Sequence, residues 1–222
     1  FPPARYRAKR VRLDAIALVF TPSLTGVGER VHLTSPSVDL SMHVRDVVNM
    51  LLYEDLTDIV LLGYSYGGFV VTGALEYVAQ RVKHLVYLDA FVPKDGDCVL
   101  QLAGFQRPNT IALGEPWLVP PTPREYDDPQ EAAFSNARRV PQPGATFIEP
   151  VRLRQPLEDF PFTRTYIKAT AEAPETAGGK AFWASAAHAK SSPAWRYREV
   201  ATSHMVPNNR PAELADLLLE LA

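Results

Sequence analysis

The sequence predicts an α/β fold with a doubly wound, mostly parallel sheet and an inserted, proline-rich lid. Short runs of consecutive apolar and β-branched residues, typical of buried strands, alternate with stretches in which apolar residues recur at helical spacing. This alternation stops after residue 102 and resumes at residue 161, and the prolines between these points break regular elements. The pattern favours one α/β domain interrupted by a lid.

The predicted elements follow the chain in order. Strands are expected at 16–21, 59–62, 84–91, 163–170 and 195–200, and helices at 41–52, 69–78, 179–190 and 212–221. Ser41 is a plausible N-cap for the first of these helices. The core therefore comprises residues 1–102 and 161–222, and the lid comprises residues 103–160.

Length and composition restrict the possible partners. The chain has 222 residues, 46% of them hydrophobic, and a formal net charge of -2, which gives no electrostatic reason to expect nucleic acid or an anionic membrane. Cys98 is the only cysteine, so no intrachain disulfide can form. No apolar run approaches the roughly 20 residues of a membrane span, and the first residues lack signal-peptide character. We expect a cytoplasmic protein that binds a small molecule.

A motif for nucleophilic catalysis lies between the second predicted strand and the next helix. Gly63-Tyr64-Ser65-Tyr66-Gly67 is a G-x-S-x-G sequence, and a strand-to-helix turn is the context that a nucleophile elbow requires. Ser65 is therefore the candidate nucleophile. At the N-terminus of a helix, the backbone N–H of Tyr66 is the candidate donor to a developing oxyanion.

A serine hydroxyl needs a base, and the base needs an acid. His204 is the candidate base because it lies downstream of the serine, in a loop between the last strand and the last helix. The acid is expected at a strand end between the two, which favours Glu172, followed in the same loop by Glu175. Asp89, at the end of the strand after the nucleophile helix, is the alternative acid.

Three segments resemble a known family: TPSLTGVGERVHL, SMHVRDVVNMLLYEDLTDIVLLGYSYGGFVVTGALE and HLVYLDAFVPKDG. They are similar to the α/β-hydrolase group that includes EstC-like esterases, pyrethroid-hydrolysing carboxylesterases, plant methyl-salicylate esterases and hydroxynitrile lyases. The resemblance implies an α/β-hydrolase fold, Ser65 as nucleophile and His204 as base. It also implies Glu172 as the acid, since KATAE matches the family's C-T-x-E strand end.

Two departures from this group stand out. Tyr64 replaces the histidine of the usual G-H-S-Y-G-G, so a phenol lies beside the nucleophile. Relatives also begin with a strand that leads into a His-Gly oxyanion loop, whereas this sequence begins at the helix that follows. If nothing precedes Phe1, we expect the N-terminal strand and the second oxyanion donor to be missing; a truncated or a divergent N-terminus would each explain the difference. A homodimer would cover the sheet edge exposed in this way.

The leading functional hypothesis is hydrolysis of a small, largely apolar carboxylic ester through an acyl-enzyme on Ser65. Its pocket is expected to include Tyr64, Phe105, Trp117, Leu118 and Met205. Two alternatives are a catalytically silent ligand-binding protein and carbon–carbon cleavage of the hydroxynitrile-lyase type, which needs a polar group such as Lys94 or Lys180 near the base. No cofactor or metal is expected, since the histidines lack close pairing and no dinucleotide fingerprint occurs.

Overall fold

A computed structural model of the protein describes residues 18–104, 117–171, 173–175 and 178–221. In chain order its helices and strands are α1 (Leu40–Tyr53), β1 (Ile59–Tyr64), α2 (Gly67–Val78), β2 (Val82–Leu88), α3 (Val99–Leu102), β3 (Leu118–Val119), α4 (Pro129–Asn136), β4 (Gln142–Pro143), α5 (Ala145–Ile148), β5 (Thr163–Ala169), α6 (Gly179–Ser191), β6 (Arg196–Val200), α7 (Val206–Asn209) and α8 (Pro211–Leu219). Short 3₁₀ helices lie at Gly28–Leu33, Ala79–Arg81 and Leu157–Asp159. Within the described residues, no helix is both long and apolar enough to span a bilayer.

The core is a parallel sheet with strand order β1-β2-β5-β6. Alternate residues of β2 face opposite sides of this sheet. Leu85 and Tyr87 join one buried cluster with α1, α2 and α6, whereas Val86 and Leu88 join a second cluster with α8. A strand covered on both faces is predominantly apolar, which explains the hydrophobic run from Leu85 to Leu88. The doubly wound α/β fold predicted from the sequence is confirmed.

Two local predictions are wrong. Residues 18–21 form no strand, because an apolar run needs a neighbouring strand to pair with, and no described strand pairs with this one. Asp39, not Ser41, caps α1: its carboxylate accepts a hydrogen bond from the N–H of Met42 at 2.8 Å. The hydroxyl of Ser41 donates instead to Glu149 at 2.5 Å, which ties the start of α1 to the segment predicted to form the lid.

The described residues of that segment, 103–104 and 117–160, form short elements only, as its prolines predict. β3 and β4 form an antiparallel pair, and α4 lies in the connection between them. Asp128 caps α4 by accepting a hydrogen bond from the N–H of Gln130, and Pro129 occupies the first helical turn, where its missing N–H costs nothing. β4 and the residues that flank α4 lie close to the carboxyl end of β1, since Gln142, Arg124 and Arg139 line the same cavity as Tyr64.

The turn from β1 into α2 is packed too closely for side chains at two glycines. A Cβ atom on Gly63 would approach Val71 to 2.6 Å, and one on Gly68 would approach the carbonyl oxygen of Phe91 to 2.0 Å. Gly67 differs, because a Cβ there would meet no atom within 4 Å. Close packing therefore requires glycine at 63 and 68. At 67 there is room for a side chain, so the glycine there is accounted for by the motif alone.

This contrast predicts opposite effects of alanine at adjacent positions. Gly68→Ala should lower the free energy of unfolding by at least about 2 kcal/mol, since backbone rather than a flexible side chain must move. Gly67→Ala should leave it unchanged or raise it by up to about 1 kcal/mol, because alanine favours the helix. Urea unfolding of both variants measures the difference. Equal midpoints would contradict the packing described for Gly68.

Candidate active site

Ser65 lies at the carboxyl end of β1 in a strained conformation. Its φ of 55° is left-handed, a region that non-glycine residues rarely adopt. Two backbone hydrogen bonds hold the turn to the end of β2: the N–H of Ser65 donates to Leu88 at 3.3 Å, and the N–H of Phe91 donates to the carbonyl of Ser65 at 3.3 Å. The neighbouring strand therefore maintains the strain that presents the hydroxyl.

His204 reaches Ser65 from the loop that follows β6. Its Nε2 lies 2.9 Å from the Ser65 hydroxyl oxygen. The imidazole is stacked between Tyr64, with ring centroids 4.8 Å apart, and Phe182 of α6, at 5.3 Å. The phenol of Tyr64 also donates to the carbonyl of His204 at 2.7 Å, and burial raises the pKa of Tyr64 well above its ordinary range. The histidine is therefore fixed by contacts to both its ring and its backbone.

Asp89 follows β2 and contacts the other nitrogen of the same ring. Its Oδ2 lies 2.7 Å from Nδ1 of His204. Because a carboxylate only accepts, Nδ1 carries the hydrogen, and Nε2 is left to accept from the hydroxyl of Ser65. Ser65, His204 and Asp89 thus form a hydrogen-bonded chain with the geometry that lets a histidine remove a serine proton.

A buried cation compensates the carboxylate of Asp89. The ammonium of Lys168, on β5, lies 2.6 Å from Asp89 Oδ1, and both side chains are at most 2% exposed. The N–H of Ala169 also approaches this oxygen, at 3.4 Å, and the ring of Trp183 lies 4.5 Å from the ammonium. Each carboxylate oxygen of Asp89 therefore has its own partner, so the charge is paired rather than isolated.

The residue after the nucleophile is anchored independently. The phenol of Tyr66 lies 2.9 Å from Nδ1 of His43, and Nε2 of His43 lies 2.8 Å from the carbonyl of Thr25. Burial lowers the pKa of His43 and raises that of Tyr66, so a neutral imidazole donates to Thr25 and accepts from the phenol. These two hydrogen bonds connect the 22–28 loop to the start of α2, where the Tyr66 N–H has no acceptor within the helix.

A cavity of about 340 Å³ opens beside Ser65. Its lining residues are Leu24, Tyr64, Ser65, Tyr66, Gly67, Arg124, Arg139, Gln142, His204 and Met205. The described residues bring no three His, Cys, Asp or Glu side chains together as a metal site. The cavity therefore combines the hydrogen-bonded chain with an apolar wall and two arginines.

The sequence matches the alpha/beta hydrolase family over residues 4–217, nearly the whole chain. The protein is an α/β hydrolase. A carbendazim hydrolyzing esterase from Nocardioides sp. (strain SG-4G) is 38% identical over 149 residues, which are 61% of this chain and 62% of that esterase. The chain thus spans less than two thirds of the length of that relative.

Solved structures share the fold of this α/β hydrolase. An extracellular alpha/beta-hydrolase from a Paenibacillus species aligns with a TM-score of 0.70 at 20% identity, over 92% of this chain and 87% of its own. The Arabidopsis methylesterase MES16 aligns with a TM-score of 0.65 at 22% identity, over 89% of this chain and 84% of its own. At these identities the likeness establishes architecture only.

The structure brings together most of the residues that the sequence singled out, and it differs from the prediction in one of them. Ser65, His204, Tyr64, Tyr66 and Met205 all line the cavity. The hydrogen bond to Nδ1 of His204, assigned to Glu172 from the sequence, is made by the alternative, Asp89. Glu172 itself lies outside the described residues.

The predicted pocket needs a further correction. Trp117 and Leu118 are not among the described residues that line the cavity, and Phe105 lies outside the described residues. The carbonyl of Trp117 instead accepts a hydrogen bond from Gly144 at 2.8 Å, which holds the strand pair β3 and β4 together. The backbone of Trp117 therefore has a structural role here.

Several functional-site residues were missed. Phe182 is one of several apolar residues in a predicted helix, and nothing in the sequence distinguishes it. Lys168 lies in a predicted buried strand, and a lysine at such a position indicates a buried partner. Arg124 and Arg139 gave no signal, because charged residues in an irregular segment are usually solvated.

The identity of the acid can be tested with two conservative variants. Asp89→Asn should lower kcat for a nitrophenyl ester by roughly 10³- to 10⁴-fold, because an amide in place of the carboxylate favours the wrong imidazole tautomer. Glu172→Gln is the matched control and should cause a much smaller loss. A large loss in Glu172→Gln together with near-normal activity in Asp89→Asn would return the role to Glu172.

Lys168 should be required for stability. Lys168→Met removes the cation from the buried carboxylate of Asp89, and it should lower the free energy of unfolding by about 3 kcal/mol, because one partner of a buried ion pair is lost. Urea unfolding measures the loss. An unchanged midpoint would contradict the compensation described for Asp89.

Proposed function

We propose that this α/β hydrolase cleaves small carboxylic esters through an acyl-enzyme on Ser65. The hydrogen-bonded chain of Ser65, His204 and Asp89 carries the proposal, since both imidazole nitrogens are engaged at 2.9 and 2.7 Å in the order that general-base catalysis requires. The names of two similar proteins, an esterase and a methylesterase, support ester hydrolysis as the reaction class.

The reaction proceeds in two steps. In the first, the Ser65 oxygen attacks the ester carbonyl carbon while Nε2 of His204 takes the hydroxyl proton, and the Asp89 carboxylate stabilises the imidazolium that results. The backbone N–H of Tyr66 donates to the oxyanion. His204 then protonates the leaving alcohol, which leaves an ester between Ser65 and the acyl group. In the second step His204 activates a water that hydrolyses this ester.

The cavity supports a small and largely apolar substrate. Its volume of about 340 Å³ lies at the lower end of the range for small-molecule sites. Leu24 and Met205 provide apolar contacts beside the nucleophile. Neither Lys94 nor Lys180, the residues that carbon–carbon cleavage would use, is among the described residues lining this cavity, so that alternative has no observation in its favour.

The decisive measurement is hydrolysis of 4-nitrophenyl acetate by the protein and by Ser65→Ala and His204→Ala. Each variant should lower kcat by roughly 10³-fold or more, because the two residues act as one unit. His188→Ala, which removes an exposed histidine paired with Glu158, is the control and should retain full activity. A pre-steady-state burst of nitrophenol equal to the enzyme concentration is expected if the acyl-enzyme accumulates.

A folded protein whose activity equals that of Ser65→Ala would overturn the proposal. It would favour instead a ligand-binding protein on a hydrolase fold. Circular dichroism of all four proteins separates this outcome from loss of structure.

A further inference from the structure

Two arginines project into the cavity from the segment around α4. Arg124 precedes that helix and Arg139 follows it, and both line the same space as Ser65 and His204. The side chain of Asn136, the last residue of α4, holds the backbone of Arg124 with two hydrogen bonds: its Oδ1 accepts from the N–H at 3.1 Å, and its Nδ2 donates to the carbonyl at 3.0 Å. The N–H of Arg139 donates to the carbonyl of Asn136 at 3.3 Å. Asn136 therefore holds the backbone from which both arginine side chains extend.

Neither guanidinium has a carboxylate partner among the described residues. The Nε atoms of Arg124 and Arg139 are buried and lack a hydrogen-bond acceptor there. Arg30 and Arg154, in contrast, are paired with Asp46 and Glu76. The Nε of Arg164 also lacks an acceptor, but its two terminal nitrogens donate to backbone carbonyls. Buried donors without acceptors are rare in folded proteins, and leaving a charged one unpaired is costly. The pair therefore has unused capacity to bind an anion from outside the chain.

The acidic residue beside the nucleophile does not neutralise this pair. Asp89 is the acidic residue of the hydrogen-bonded chain, and its two oxygens are already taken by Lys168 and His204. Both arginines act on the Tyr64 phenol at the cavity wall, where they oppose the larger effect of burial on its pKa. The chain as a whole carries a formal charge of -2, so the positive charge is a local property of the cavity.

We propose that Arg124 and Arg139 bind a carboxylate of the substrate, so that the enzyme prefers esters with a largely apolar body and one free carboxylate. A guanidinium presents parallel N–H donors that match the two coplanar oxygens of a carboxylate. The apolar body would contact Leu24 and Met205 while the ester carbonyl lies at Ser65. This inference rests on the proposed function and adds one carboxylate to the largely apolar ester expected from the sequence.

A pair of nearly isosteric substrates tests the inference. Mono-4-nitrophenyl adipate carries a terminal carboxylate, and 4-nitrophenyl 6-methylheptanoate carries an isopropyl group of similar shape in its place. Both are measured with the unmodified protein, with Arg124→Gln, Arg139→Gln and the double variant. Arg138→Gln is the matched control, because Arg138 is an exposed neighbour that packs on Phe134 and does not line the cavity.

We expect the unmodified protein to favour the adipate ester in kcat/KM by about tenfold or more, as one charged hydrogen bond would give. The double variant should lose roughly 100-fold on the adipate ester and less than about threefold on the neutral ester, and Arg138→Gln should change neither. Equal losses on both substrates would overturn the inference, since the arginines would then act on the reaction or on folding. Absence of any preference in the unmodified protein would also overturn it.

Failure of the proposed function gives a different result. If the protein does not hydrolyse even 4-nitrophenyl acetate, binding of monomethyl adipate to Ser65→Ala, measured by calorimetry, tests the anion site alone. Binding that is lost when both arginines are replaced would support the site, and no binding would overturn it.

Discussion

The carboxylate of Asp89 is the group on which the arrangement of the site depends. It is 1% exposed and belongs to a residue with a left-handed φ of 40°. Removing such a charge from water costs several kcal/mol, and the cost is offset only by partners with good geometry. β5 supplies Lys168, and the loop after β6 supplies His204. Three strands of the sheet must therefore be in register before the carboxylate is compensated.

Pairing with Lys168 also determines the electrostatics of the base. At rest the lysine and the aspartate cancel, so His204 lies beside a pair without net charge. In the proposed reaction the imidazole takes a proton. The site then gains one positive charge in surroundings of low dielectric, and the facing carboxylate oxygen stabilises it directly. The aromatic rings of Tyr64 and Phe182 limit rotation of the imidazole, so little reorganisation accompanies proton transfer.

Local features of this site were predictable and distant pairings were not. Ser65 is recognisable because the elbow is encoded in five consecutive residues, and His204 because a loop after the last strand is the expected place for the base. Choosing between Asp89 and Glu172 required the strand order: β2 is the direct neighbour of β1, so its end lies next to Ser65. Lys168 meets its partner across 79 positions of sequence, a distance that periodicity does not report. The spacing of apolar residues predicted the helices and strands that pack on the sheet. The strand predicted at 16–21 shows that an apolar composition alone does not predict a strand.

The proposed nucleophile and the proposed acid belong to one β-α-β unit. Ser65 and Asp89 both lie within the unit formed by β1, α2 and β2, whose strand ends are joined by the hydrogen bond from Ser65 to Leu88. The base comes from 139 positions further along the chain. Contacts of short sequence separation cost less loop-closure entropy, so we expect the β-α-β unit to form before the C-terminal part brings His204 to it. If the chain is divided within its proline-rich segment, the two fragments carry complementary parts of the proposed site, and hydrolysis would report their reassembly.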